Sequence, residues 1–178
     1  LKDGKAKIDV LDFDACLMAT AEVAYELKDT VDFLLASQET EPGDGMPYDD
    51  YLAWLTTYPE ASPLSFSKAM VDTYVKSYAP RGSQSGGEVV GFSETKSAIH
   101  LGRMDEFRAA IENVAAKVLD RPQLLGAVTE EAYGKTRSFG RLVDVQDFLT
   151  KLADYDKKDV ELKDAVKAVT DLIGYPTQ

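Results

Sequence analysis

Ile8-Asp9-Val10-Leu11-Asp12-Phe13, running into Asp14-Ala15-Cys16 and followed further on by Val31-Asp32-Phe33-Leu34-Leu35-Ala36-Ser37, decides how this chain folds. Residues 7–13 place Ile8, Val10 and the Leu11–Phe13 end in the pattern of a mostly buried strand. Leu17 to Lys28 holds Met18, Ala21, Ala24 and Tyr25 at helical spacing without Gly or Pro, which predicts a helix. Residues 31–37 read as a second buried strand, ending in the polar loop Gln38 to Pro47. Strand, helix and strand in this order form a βαβ unit, with parallel strands and a right-handed crossover.

Working outward, the pattern turns helical. Helices are predicted over 48–57 and 64–78, separated by Pro59 and Pro63, and residues 80–87 form a loop by composition. Short strands are predicted at 88–92 and 97–101, around the turn Ser93-Glu94-Thr95-Lys96. From Met104 onward only helices are expected, at 104–119, 123–136, 143–154 and 158–172. The fold class is α/β with a mostly parallel sheet and a helical C-terminal part, divided at residues 1–103 and 104–178.

Composition narrows the function. The 178 residues carry 20 Lys and Arg against 31 Asp and Glu, a net charge of −11. Such an acid excess argues against nucleic acid as a partner and favours a cationic ligand. One cysteine excludes an internal disulfide framework and a cysteine-rich zinc site, and one histidine excludes a multi-histidine metal centre. The longest apolar runs, such as Val31 to Ala36, are too short to span a bilayer. No basic-then-apolar leader opens the chain, and a start at Leu1 reads as a processed or trimmed product.

Cys16 falls where a parallel strand hands over to the predicted helix, the sheet edge at which ligands and catalytic groups gather. A helix beginning near Leu17 would set its positive end beside the sulfur and favour the thiolate. A lone Cys is also a common small core residue, and that reading stands beside the first. Asp14, two residues earlier, points the same way as Cys16 if the strand continues. Its carboxylate then either meets a cationic substrate or caps the next helix. From Asp29 through Ser67 there are eight acidic residues and no Lys or Arg. Such a run either solvates a surface or lines a cation-selecting cleft.

Residues 8–19, Glu22-Val23-Ala24-Tyr25-Glu26-Leu27 and Ala36-Ser37-Gln38-Glu39-Thr40-Glu41-Pro42-Gly43 together resemble the clostripain family of cysteine peptidases, which belongs with caspases, gingipains and legumain. The resemblance is strong over residues 7–50. It continues more weakly through Ser97-Ala98-Ile99 to Met104 and in Val143-Asp144-Val145-Gln146-Asp147-Phe148-Leu149. It implies a caspase-like α/β/α sandwich, incomplete in this chain, and a secreted or cell-envelope bacterial enzyme. It further implies a Cys-His dyad with Cys16 as nucleophile, and cleavage after Arg or Lys. Asp14, with Asp44 as a second candidate, would form the pocket for the basic side chain.

The family's histidine precedes its cysteine and is followed by glycine. Here no His precedes Cys16, and the sole His100 is followed by Leu101 and reads as an ordinary strand histidine. The resemblance accounts for this by proteolytic processing: the chain would be a heavy chain, and a light chain would bring the histidine and the first strands. It also raises a calcium requirement, although no EF-hand spacing is present, and acids such as Asp44, Asp49 and Asp50 read either as ligands of a hard cation or, more commonly, as solvated side chains. A catalytically inactive module that binds basic peptides is the alternative function.

Overall fold

The computed structural model describes residues 7–85, 94–155 and 158–174, which form two compact units, one ending at Met104 and one starting at Asp105. The predicted strand at 88–92 lies outside the described residues.

In the first unit, β1 (Ile8–Asp12) and β2 (Val31–Ala36) pair in parallel, with Val10 opposite Phe33 and Asp12 opposite Leu35. The short helix α1 (Ala21–Leu27) joins them, completing the expected βαβ unit. β3 (Ser97–His100) adds an antiparallel strand on the far side of β2, where Leu35 meets Ala98 and Phe33 meets His100. The sheet order is β1-β2-β3. Alternation along β2 sends Phe33 and Leu35 to one face and Leu34 and Ala36 to the other. Leu34, Leu35 and Ala36 are all fully buried, so β2 is covered on both faces.

Two helices cover the Leu35 face: α2 (Tyr48–Thr57) and α3 (Pro63–Tyr78). Ser62 caps α3 by accepting from the Ser65 N–H, and Pro63 takes the first helical position, where no N–H is missed. Leu35, Met46, Tyr51, Met70, Tyr74 and Tyr78 form the core there, with Val10, Phe33 and Phe66 packed against it. A 3₁₀ turn, Leu101–Arg103, follows β3 and meets both β2 and α1.

The second unit is helical, with α4 (Met104–Leu119), α5 (Pro122–Lys135), α6 (Val145–Tyr155) and α7 (Val160–Ile173). Val114, Ala132, Leu149, Leu152, Leu162, Ala165, Val166 and Val169 make its core. The expectation of helices alone is corrected here by a two-stranded hairpin, β4 (Ser138–Phe139) with β5 (Leu142–Val143). Gly140, at a φ of +61°, supplies the left-handed residue that such a tight turn needs.

Candidate active site

β1 ends at Asp12, and the chain then runs as a loop to Thr20 before α1 begins at Ala21. The predicted helical start at Leu17 is corrected. Thr20 is the N-cap, accepting from the Val23 N–H, and Leu17 adopts a φ of +63°. The N–H groups of Leu17 and Ala19 donate to the carbonyls of Glu39 and Ser37, not to a helix. Cys16 therefore sits on a loop laced to the segment after β2, five residues before α1 begins. The left-handed Leu17 costs on the order of 1–3 kcal/mol, strain of the sort that gathers at functional sites.

Cys16 is free and exposed, so its reading as a small core residue is set aside. The Glu41 N–H donates to its Sγ at 3.3 Å. Asp14 is exposed as well, and its Oδ2 accepts from the Tyr48 hydroxyl at 2.7 Å. It does not cap α1, because Thr20 does. Both side chains thus face the loop that connects β2 to α2. Gly45 in that loop has a φ of +66°, and a side chain there would start 2.9 Å from Asp14 Oδ2. Only glycine combines that backbone with so close a carboxylate. Asp44 precedes it and is exposed, while its carbonyl accepts from the Gln84 amide at 3.0 Å. Tyr78 donates to the Gly45 carbonyl at 2.6 Å. Burial, then the charges of Asp44, Glu41 and Asp14, push the Tyr78 hydroxyl up to about 12, so it remains a donor.

Beneath this loop lies a buried ionic cluster. Lys96 Nζ is 2.6 Å from Asp12 Oδ1 and 3.2 Å from Glu41 Oε1, and it donates to the Phe13 carbonyl at 3.1 Å. The Tyr74 hydroxyl donates to Glu41 Oε2 at 2.5 Å. Burial raises the Asp12 pKa, and the neighbouring Lys96 charge opposes that rise. Removing one partner from a buried group of this kind costs on the order of 3–5 kcal/mol. Thr95 Oγ1 accepts from the Gln38 N–H at 3.0 Å and lies 2.9 Å from Ser37 Oγ, which pins the start of the same loop.

Sequence reasoning missed Lys96, Thr95, Tyr48 and Tyr74 as parts of the site. A lysine immediately before an apolar strand was the available signal for Lys96. The acidic run also resolves into parts. Asp32 is paired with Lys7 near the start of β2, Glu41 is paired with Lys96, and Asp44 is exposed on the loop just before Gly45. His100 stands opposite Phe33, well back from the carboxyl edge of β2, and stacks on that ring with centroids 4.9 Å apart. The structure does not bring it to Cys16. Among the described residues no group of three or more His, Cys, Asp or Glu side chains could hold a metal ion.

Three solved structures share this fold. A clostripain from Bacteroides thetaiotaomicron ATCC 29148, in complex with the peptide inhibitor BTN-VLTK-AOMK, superposes with a TM-score of 0.61 at 17% identity, covering 96% of this chain and 68% of that one. A B. fragilis cysteine protease gives 0.60 at 19% identity, covering 94% and 66%. A secreted C11 cysteine protease from Bacteroides thetaiotaomicron, in complex with an irreversible peptide inhibitor, gives 0.60 at 19%, covering 93% of this chain but 43% of that one. The chain thus spans between about two fifths and two thirds of the length of these proteins. Among curated proteins no match was found. The sequence profile of the clostripain family matches residues 1–175, and with the α/β sheet carrying Cys16 on its edge this places the chain in the clostripain family of C11 peptidases.

Proposed function

We propose that this chain is the nucleophile-bearing part of a cysteine endopeptidase that cleaves after Arg or Lys. The observation that carries the reading is the exposed Cys16 on the sheet-edge loop, two residues from an exposed Asp14 carboxylate that is held in place by Tyr48. A clostripain of the same fold is held by an inhibitor whose peptide, VLTK, ends in lysine, and a basic residue at that position suits Asp14 and Asp44. An unpaired guanidinium or ammonium in a pocket is costly, whereas a charge-assisted bond to a carboxylate offsets that cost.

The Cys16 thiolate attacks the scissile carbonyl, forming the S–C bond and pushing the π pair onto oxygen. Backbone N–H groups, that of Cys16 among them, receive the oxyanion. Collapse breaks the C–N bond, a histidine protonates the departing amine, and water then cleaves the thioester. That histidine comes from a light chain of the same precursor. Support for such a partner is the outer edge of β1, which pairs with no strand among the described residues and would accept another. Calcium dependence rests on the family resemblance alone. Secretion is supported by the secreted relative of the same fold, and no helix among the described residues is long and apolar enough to cross a membrane.

The test is labelling of the assembled protein with an arginyl or lysyl acyloxymethyl ketone. A covalent adduct on Cys16, lost in Cys16→Ala along with peptidase activity, is expected. Binding of basic peptides without any Cys16-dependent adduct or cleavage would replace this reading with an inactive peptide-binding module.

A further inference from the structure

We propose that Lys96 is a positioning residue for the Cys16 thiol, acting through Glu41. The proposal rests on Cys16 being the nucleophile. Lys96 has no exposed side-chain surface and Glu41 only 4%, so this pair is not a solvated surface bridge of negligible consequence. Three anchors hold the ammonium. Asp12 Oδ1 at 2.6 Å and the Phe13 carbonyl at 3.1 Å come from the strand end that leads to Cys16, and Glu41 Oε1 at 3.2 Å comes from the opposite loop. Tyr74 of α3 closes the shell, its ring centroid 5.4 Å from Nζ and its hydroxyl on the second Glu41 oxygen at 2.5 Å. Met46 Sδ lies 3.4 Å away.

Glu41 is therefore fixed at both carboxylate oxygens. Pro42 follows it and restricts its backbone to extended conformations. The Glu41 N–H donates to Cys16 Sγ at 3.3 Å. A hydrogen bond to sulfur is weak for the thiol and stronger for the thiolate, so the donor favours the ionised, correctly aimed nucleophile. Lys96 locks strand end and loop together at the two places from which the sulfur and its donor extend. An apolar side chain would fill the space without setting that register.

The test measures alkylation of Cys16 by iodoacetamide against pH in the assembled protein, with Cys16→Ala as the blank, alongside kcat and KM on a basic peptide substrate. Lys96→Met is expected to raise the alkylation midpoint by about half to one pH unit. In Glu41→Gln the loss of a neighbouring negative charge works against such a rise, so that variant is read by kcat. Both variants should lower kcat roughly tenfold while KM stays within about twofold. Lys96→Arg should restore most of both, since it keeps the charge. If Lys96→Met does not fold, the near-isosteric Glu41→Gln decides. An unchanged kcat in Glu41→Gln, whatever happens to the melting temperature, overturns the proposal and leaves Lys96 a structural residue. Peptidase activity that survives Cys16→Ala would instead overturn the nucleophile assignment, and the alkylation profiles would still report on Lys96.

Discussion

The Tyr48 hydroxyl donates to Asp14 Oδ2 at 2.7 Å, so the first residue of α2 orients a carboxylate that lies two positions before the free cysteine. This bond raises the Tyr48 pKa, its largest cause being the donation to Asp14, and the hydroxyl keeps its proton throughout the neutral range. One oxygen of Asp14 is thereby held by Tyr48, and in the function proposed above this carboxylate receives the cationic side chain.

Removing the Asp14 charge and removing its tether should have different consequences. Asp14→Asn is expected to lower kcat/KM for Arg or Lys peptides by about 10²-fold while sparing a matched Gln peptide. Tyr48→Phe should lower it only about three- to tenfold, chiefly through KM, because the carboxylate remains. Steady-state kinetics on the peptide pair measure both. An unchanged preference in Asp14→Asn would remove Asp14 from the pocket.

Gly45 answers to two constraints at once, a φ of +66° and the Asp14 carboxylate against its α-carbon. Gly45→Ala is expected to lose about 1–2 kcal/mol in urea unfolding and to raise KM for basic substrates by displacing Asp14. Gly45→Asn separates the two effects, since Asn tolerates the left-handed backbone but still meets the carboxylate. It should recover part of the stability and none of the KM.

Two carboxylates should give opposite pH dependences of stability. Asp12 is raised by burial, so the folded state binds its proton more tightly than the unfolded chain does. Its contribution is full below the ordinary Asp range, about 3.9, and declines as pH rises through the raised folded value. Asp147 is lowered by the hydrogen bond from Lys151 and by the Arg137 N–H. Its contribution is present above the ordinary range and is lost as pH falls through the depressed folded value. Urea midpoints taken between about pH 3 and 7 should show Asp147→Asn flattening the acid limb and Asp12→Asn flattening the opposite slope.

His100 stacks on Phe33 in the sheet, its ring centroid 4.9 Å from that of Phe33. His100→Ala should cost up to about 1 kcal/mol in stability and leave kcat within about twofold. A loss of tenfold or more, measured in the assembled protein, would put this histidine in the mechanism.

Much of the first unit was legible from pattern alone. Alternation over Ile8–Asp12 and the apolar Val31–Ala36 marked both parallel strands, and α2 and α3 fell where Pro59, Pro63 and the helical spacing put them. The start of α1 is not legible locally, because Leu17 and Met18 fit a helical stripe. Their backbone is held away from helix by bonds from Leu17 and Ala19 to Glu39 and Ser37, partners that no local window contains. The hairpin at 138–143 is hidden from pattern, because two-residue strands carry no periodicity and Gly140 is their only sign.

By itself the sequence determined the βαβ order, the position of Cys16 after a buried strand, and the placement of Asp14 two residues before it. Those features depend on residues adjacent in the chain, where spacing and side-chain type suffice. Tertiary structure alone decided that Cys16 rides on a loop and not on a helix end, that Tyr48 holds Asp14, and that Lys96 sits between Asp12 and Glu41. Lys96 lies 55 residues from Glu41, and Tyr48 lies 34 from Asp14. The reason is that a buried charge must find its counter-charge wherever the fold brings one, and that pairing leaves no periodic trace in the chain.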